Sequence, residues 1–224
     1  MPADPDLLGS VRTMRRKLAD DGPSRTRTEG DFEVVSVPPR DCDALRDLLL
    51  AERARVVIEI GLAYGSSALA IAEALVTPGA DDARHLIIDA FQGHFHDAGW
   101  NVIVMTGLTD VCSLLRERSQ LVLPRLMADG VVADAAFVDG SHVFHNVFVD
   151  LFFLGELVRP GGLIVLDDCS WLSVATAARY FENNTGWQRE PINSETRLRA
   201  FRVPNPKIEA SFEAFKPFGV DLTD

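Results

Sequence analysis

The sequence predicts a doubly wound α/β fold, and three observations carry the prediction. Between residues 56 and 183, short apolar β-branched runs alternate with longer amphipathic or Ala/Leu-rich runs. The first run, Val56–Ile60, breaks into a glycine turn from Gly61 to Gly65 and resumes as a helix over 68–75. A strand buried on both faces, a glycine turn and a helix N-terminus bring backbone close to a ligand. Polar residues then fall where successive strands should end: Glu59 and Gly61, Asp89, Ser119 and Gln120, Asp139, and Asp167 with Asp168. Open α/β sheets bind ligands at the carboxyl ends of their strands, where strand order reverses.

The elements follow in order. Asp4 and Pro5 read as a helix cap and first turn, and Leu7, Leu8, Val11, Met14 and Leu18 form one apolar stripe. Arg12, Arg15, Arg16 and Lys17 lie largely off that stripe and read as a solvated face, with the helix ending near Gly22 and Pro23. Residues 24–31 read as a loop, 32–37 as a short extended piece stopped by Pro38 and Pro39, and Asp41 as the cap of a helix running to Glu52. After the opening strand and helix come a turn over 77–83, a second strand over 85–89, irregular chain over 91–99 and a helix over 100–105. A loop over 106–110 leads to a third strand at 111–117, a helix at 120–127 and a fourth strand, Ala133–Val138. A long apolar helix over 143–158, a fifth strand over 162–167 and a helix over 171–183 complete the alternation. Residues 187–189 and 198–203 read as a closing antiparallel hairpin. This divides the chain into an N-terminal helical extension (1–54), a main domain (55–204) and a C-terminal tail (205–224). Phe212, Phe215 and Phe218 in the tail suggest burial on the core, over a substrate or in a homodimer contact.

Composition narrows the class. A chain of 224 residues that is 47% hydrophobic suits one domain with a modest extension. Its net charge of −11 argues against binding nucleic acid or an anionic membrane. Cys42, Cys112 and Cys169 are odd in number and lack CxxC spacing, which predicts neither disulfides nor zinc and points to a reducing cytoplasm. The first residues lack the basic head and apolar stretch of a signal peptide, and no apolar run reaches membrane-spanning length.

The chemistry sits at the strand ends. Glu59 lies inside an apolar strand, where a carboxylate demands a partner. Gly61 and Gly65 make a GxxxG turn, one residue tighter than the dinucleotide GxGxxG, which weakens a nicotinamide or flavin reading. Asp89 can accept both hydroxyls of a ribose, or serve as an ordinary loop or cap residue. Asp139, Asp167 and Asp168 end strands that should lie about 5 Å apart, and carboxylates so close repel unless protonated or bound to a cation. Such oxygen-rich sites suit Mg²⁺. His142 could remove a hydroxyl proton near neutral pH, or bond structurally to one of those carboxylates. His94 and His96 read as loop residues, His145 as packed or surface, Asp150 as surface or capping, and Trp171 as pocket wall or core.

The stretches VIEIGLAYGSSALAIAEAL, IIDAFQ, ERSQLVLPRL and AAFVDGSHVFHNVFVDLFFLGELVRPGGLIVLDD, all between Val56 and Trp171, resemble class I S-adenosylmethionine-dependent methyltransferases. They are most similar to the catechol and caffeoyl-CoA type O-methyltransferases and to a bacterial branch with an IDPFQ-like motif. The resemblance implies a Rossmann-like seven-stranded sheet, mostly parallel with one antiparallel strand, and helices on both faces. It implies S-adenosylmethionine as cofactor: Glu59 beside the methionine ammonium, Gly61 passing close, Ser67 on the methionine carboxylate, Asp89 on the ribose and Ser119 with Gln120 at the adenine. Tyr64, Ala90, Phe91 and Asp139 complete the implied cofactor set. Asp139, Asp167 and Asp168 fall at the positions of a divalent-ion site, with Asp168 where those enzymes carry Asn, and His142 falls at a catalytic lysine position. The implied activity is methylation of an oxygen on a small hydroxylated acceptor, with Asp139 and His142 catalytic and Mg²⁺ or another divalent ion assisting. Three alternatives stay open: a cofactor-binding Rossmann-like protein without methyl transfer, a metal-independent methyltransferase using His142 as base, and a dinucleotide oxidoreductase.

Overall fold

The structure, a computed structural model, describes residues 5–77, 82–192 and 195–219. Strands β1 (Val56–Ile60), β2 (Arg84–Ile88), β3 (Cys112–Leu115), β4 (Ala133–Val138), β5 (Val158–Leu166), β6 (Gln188–Glu190) and β7 (Arg199–Arg202) form one sheet. Their order is β3-β2-β1-β4-β5-β7-β6. The first five run parallel, and β7 runs antiparallel to both β5 and β6. Strand order reverses between β1 and β4, so the loops after Ile60 and Val138 flank the crevice where such sheets bind ligands.

The helices are α1 (Pro5–Asp21), α2 (Asp31–Val35), α3 (Pro39–Glu52), α4 (Ser66–Val76), α5 (Ala98–Met105), α6 (Ser119–Ala128), α7 (Phe144–Leu157) and α8 (Leu172–Thr185). Alternate strand residues point to opposite faces. Ile58, Ile60, Val138 and Leu166 pack under α6, α7 and α8, whereas Val57, Phe137 and Val165 pack under α3 and α4. Helix α4 is buried from Ser67 to Val76 because α1 and α3 lie over its outer side. That enclosure is why its sequence is apolar all round instead of striped.

Several expectations give way. Residues 32–37 do not form an extended piece: Gly30, at φ 74°, opens helix α2, and Asp31 and Glu33 favour its N-terminus. Asp41 is not a cap, because α3 starts at Pro39, whose fixed φ suits a first helical position, and Asp41 lies buried in the first turn. Strand β3 is shorter than read, and β5 begins earlier, at Val158, with a register shift between Ala133 and Ala135 on its partner β4. Asp4 and most of the 77–83 turn lie outside the described residues.

The basic residues of α1 are more than a solvated face. Arg12 donates to Glu73 at 2.9 Å, and Arg15 bonds both Glu73 and Asp43, clamping α1 onto the buried carboxylate of α4. In the tail, Phe218 meets Tyr180 of α8 edge-on at 5.3 Å, and the amide groups of Asn183 and Asn184 bond backbone at Lys216 and Pro217. Phe212 stays 92% exposed. No helix among the described residues is long and apolar enough to cross a membrane.

Candidate active site

A cavity of about 720 Å³ opens at the carboxyl ends of the parallel strands. Every rim loop contributes: Gly61 and Ala63 after β1, Asp89 to Phe91 after β2, Ser119 and Gln120 after β3, Asp139 to His142 after β4, and Asp168 and Trp171 after β5. Arg27, Val34 and Val35 from the N-terminal segment and Arg197 before β7 close the sides.

The glycine turn is fixed by its neighbour. Gly61 sits at φ +95°, and a Cβ there would lie 2.0 Å from the carbonyl oxygen of Asp139. Only glycine fits that conformation and that approach. Asp89 braces the same turn: its Oδ2 accepts from the backbone N–H groups of Leu62 (3.1 Å) and Ala63 (3.2 Å) and from Gln92 Nε2 (2.9 Å). Its Oδ1 accepts from the Phe91 N–H at 2.6 Å and keeps capacity for another donor.

Gly61, Asp89, Ala90, Phe91, Ser119, Gln120, Asp139, His142 and Asp168 therefore meet in one cavity, while Glu59, Tyr64, Ser67 and Asp167 do not line it. Glu59 finds its partners inside the protein. Oε1 accepts the Ser67 hydroxyl at 2.5 Å, and Oε2 lies 2.9 Å from His85 Nε2. The other His85 ring nitrogen is 3.6 Å from Cys112 Sγ. Burial opposes charge on this imidazole, yet the Cys112 and Glu59 contacts outweigh it and raise His85 to about 9. The Ser67 hydroxyl is thus engaged by Glu59, while Glu59 Oε2 and His85 Nε2 are close but make no hydrogen bond among the described residues. Tyr64 and Ser67 line a small pocket beside the turn, with Val35 to Val37 above it. The Tyr64 hydroxyl donates to Asp31 and accepts the Arg27 N–H at 3.0 Å, so it anchors the N-terminal segment.

At the other end, His142 Nε2 lies 3.0 Å from Asp168 Oδ2, and its ring stacks on Trp171 at 6.1 Å between centroids. The Asp168 contact raises His142 above its ordinary value, and the same contact holds Asp168 low. Asp139 is pushed well above the usual carboxylate range by burial, then by Asp167 and Asp168. Asp139, His142 and Asp168 present ligand atoms within 4.8 Å of one another. The expected trio of carboxylates does not form. Asp167 turns to Arg197, whose Nε and Nη2 donate to it at 2.6 to 3.0 Å. Both residues lie beyond the end of β5, where Asp168 takes a left-handed φ of 56° and lines the cavity while Asp167 is held by Arg197.

Ser119 is the first residue of α6, whose cap is Arg118. Its hydroxyl and Gln120 Nε2 (3.3 Å) both bond Asp150, which is buried on α7 and raised to about 6 by that burial. Asp150 is therefore neither a surface nor a capping residue. His94 lines the cavity stacked on Phe91, and His145 is exposed. Sequence reasoning missed His85 and Arg197 and misread Asp150. Asp150 carried the signal that singled out Glu59, a lone carboxylate in an apolar run. Arg197 carried none.

A family model described as "Methyltransferase domain" matches residues 58–169. Tricin synthase 2 of Oryza sativa subsp. japonica is 29% identical over 147 residues, 64% of this chain and 48% of that protein, so the chain spans about half the length of this relative. A flavonoid 3',5'-methyltransferase of Vitis vinifera is 28% identical over 184 residues, 80% of this chain and 74% of that one. Among solved structures, the O-methyltransferase TomG from Streptomyces achromogenes, in complex with SAM, matches with a TM-score of 0.64 at 17% identity, covering 90% of this chain and 92% of that chain.

Proposed function

The chain belongs to the methyltransferase-domain family, and from that premise we propose that it transfers the sulfonium methyl of S-adenosylmethionine to an oxygen of a small hydroxylated acceptor. The observation that carries this reading is a single cavity joining Asp89, Ser119 and Gln120 at one end to Asp139, His142 and Asp168 at the other. The first group suits a nucleoside: a carboxylate with spare acceptor capacity and two polar side chains held by Asp150. The second suits proton removal. Trp171, stacked on His142, adds an aromatic wall at that end that suits a planar hydroxylated ring, in keeping with the tricin and flavonoid named for the relatives.

Bound S-adenosylmethionine supplies a methyl on a cationic sulfur, and its transfer breaks the C–S bond, forms a C–O bond and leaves a neutral thioether. The chain's own task is alignment, exclusion of water and removal of the hydroxyl proton. With Nε2 held by Asp168, neutral His142 keeps its lone pair on Nδ1, the atom that takes the proton. Asp168 orients the ring and stabilises the imidazolium that forms.

Mg²⁺, the ion an all-carboxylate trio would suit, fits the residues present less well. Asp167 is engaged by Arg197, and the remaining donors are two carboxylates and an imidazole, a mixture that Mg²⁺ accepts less readily than oxygen alone. The 55–204 segment carries the site, the 1–54 extension lends it walls, and three free, buried cysteines accord with a reducing cytoplasm.

Incubation with methyl-labelled S-adenosylmethionine and a panel of hydroxylated aromatic acceptors tests the reading. Labelled ether and S-adenosylhomocysteine should accumulate together. Cofactor binding without transfer to any acceptor would favour the non-enzymatic alternative.

A further inference from the structure

Behind the acceptor end of the cavity, one guanidinium lies between two buried carboxylates. Arg197 Nε is 2.8 and 3.0 Å from the oxygens of Asp167, and Nη2 is 2.6 Å from Oδ2. The same Nε is 3.9 Å from Asp41 Oδ2. Asp41 is fully buried, and among the described residues neither of its oxygens makes a hydrogen bond; the exposed Arg40 lies 3.4 Å from Oδ1. Arg197 itself reaches the cavity wall.

A carboxylate buried without a cation is costly, and the usual remedies are protonation, a metal ion or a basic side chain. Here the third is built into the chain. Guanidinium stays charged at any working pH, and its fork engages both oxygens of Asp167. The Asp168 N–H adds a further bond to Asp167 Oδ1, at 2.7 Å. Asp167 therefore has little left to offer a metal unless Arg197 leaves. Asp41, unbonded and adjacent, holds the guanidinium's second counter-charge. Asp139 lies within the electrostatic reach of Arg197, which opposes the influence of Asp167 and Asp168 there.

We infer that Arg197 is the resident cation of the acceptor site, neutralising Asp167 with Asp41 as its second counter-charge, so that this chain works without a divalent ion and excludes one from Asp167. Arg197 acts as a positioning residue. Its catalytic consequence rests on the methyl-transfer reading, but its exclusion of a metal does not.

Mn²⁺ titration by calorimetry and electron paramagnetic resonance reads the exclusion without any acceptor. Wild-type protein should bind Mn²⁺ weakly, and R197Q should bind one ion with affinity raised by roughly 100-fold. R197K, which keeps charge but loses the fork, should fall between them and guards against misfolding of R197Q. In the transfer assay, a chelator should leave wild-type turnover unchanged, while R197Q should lose turnover and regain part of it with Mn²⁺. Equal Mn²⁺ affinity in wild type and both variants, or chelator-sensitive wild-type turnover, overturns the inference. If instead the Mn²⁺ pattern holds but calorimetry detects no S-adenosylmethionine binding, the function reading fails while the exclusion stands.

Discussion

His142 carries the proton in this account, and its environment sets the pH at which it can. Asp168 raises it above 6.5, and Asp167 adds to this while Arg197 opposes it. Only the neutral ring accepts a proton, so kcat should rise with pH through that elevated value. D168N removes the main cause and should move the acid limb of the profile to lower pH. H142A should lower kcat by about 10²- to 10⁴-fold and flatten that limb. At the cofactor end, D150A should raise the Kd for S-adenosylmethionine by about tenfold, the factor given by one lost charge-assisted hydrogen bond at Gln120. A Kd unchanged by calorimetry would leave Asp150 with a purely structural role. G61A should cost about 3 kcal/mol in a denaturant titration, because the added methyl meets the Asp139 carbonyl.

The elements from β1 to β5 were legible because their strands are buried on both faces and their helices bury one, which writes distinct periods into the sequence. Short or tertiary-dependent features were not. A five-residue helix such as α2 is decided by a glycine conformation and by what covers it, and residues 32–37 carry the same β-branched signal as an edge strand. At the site, residue types were readable and directions were not. Glu59 faces α3 and α4 with Val57, away from the cavity, and Asp167 turns to the same side. The β1–β2–β3 contact that this creates, Glu59 with His85 and Cys112, has its own pH signature. The folded-state His85 lies near 9, above its ordinary 6.5. Its stabilisation is therefore full below about pH 6.5 and is lost as pH rises through about 9. Thermal midpoints should fall between these limits in wild type and fall less in H85Q, measured against each protein's own value at neutral pH.

Across the whole molecule, one sheet rim gathers Asp89, Ser119, Asp139, His142 and Asp168 around one cavity, while the opposite side of the same strand ends gathers Glu59, Asp167 and their partners. Asp89, Gly61 and Asp139 are joined by backbone, since the Gly61 N–H donates to Ile88 O at 3.0 Å and the Asp139 N–H to Ile60 O at 2.9 Å. That coupling was implied by polar residues recurring at successive strand ends. What the sequence could not convey was the contribution of remote chain: Arg197 enters from the hairpin and Arg27 from the N-terminal segment, and neither belongs to a periodic pattern. The most direct test of the shared cavity separates binding from chemistry in one variant. S-adenosylmethionine affinity and S-adenosylhomocysteine release are measured for wild type and H142A with the same hydroxylated acceptor. The account predicts equal affinity and release slowed by at least about 100-fold in H142A; release at the wild-type rate, or no cofactor binding by wild type, would contradict it.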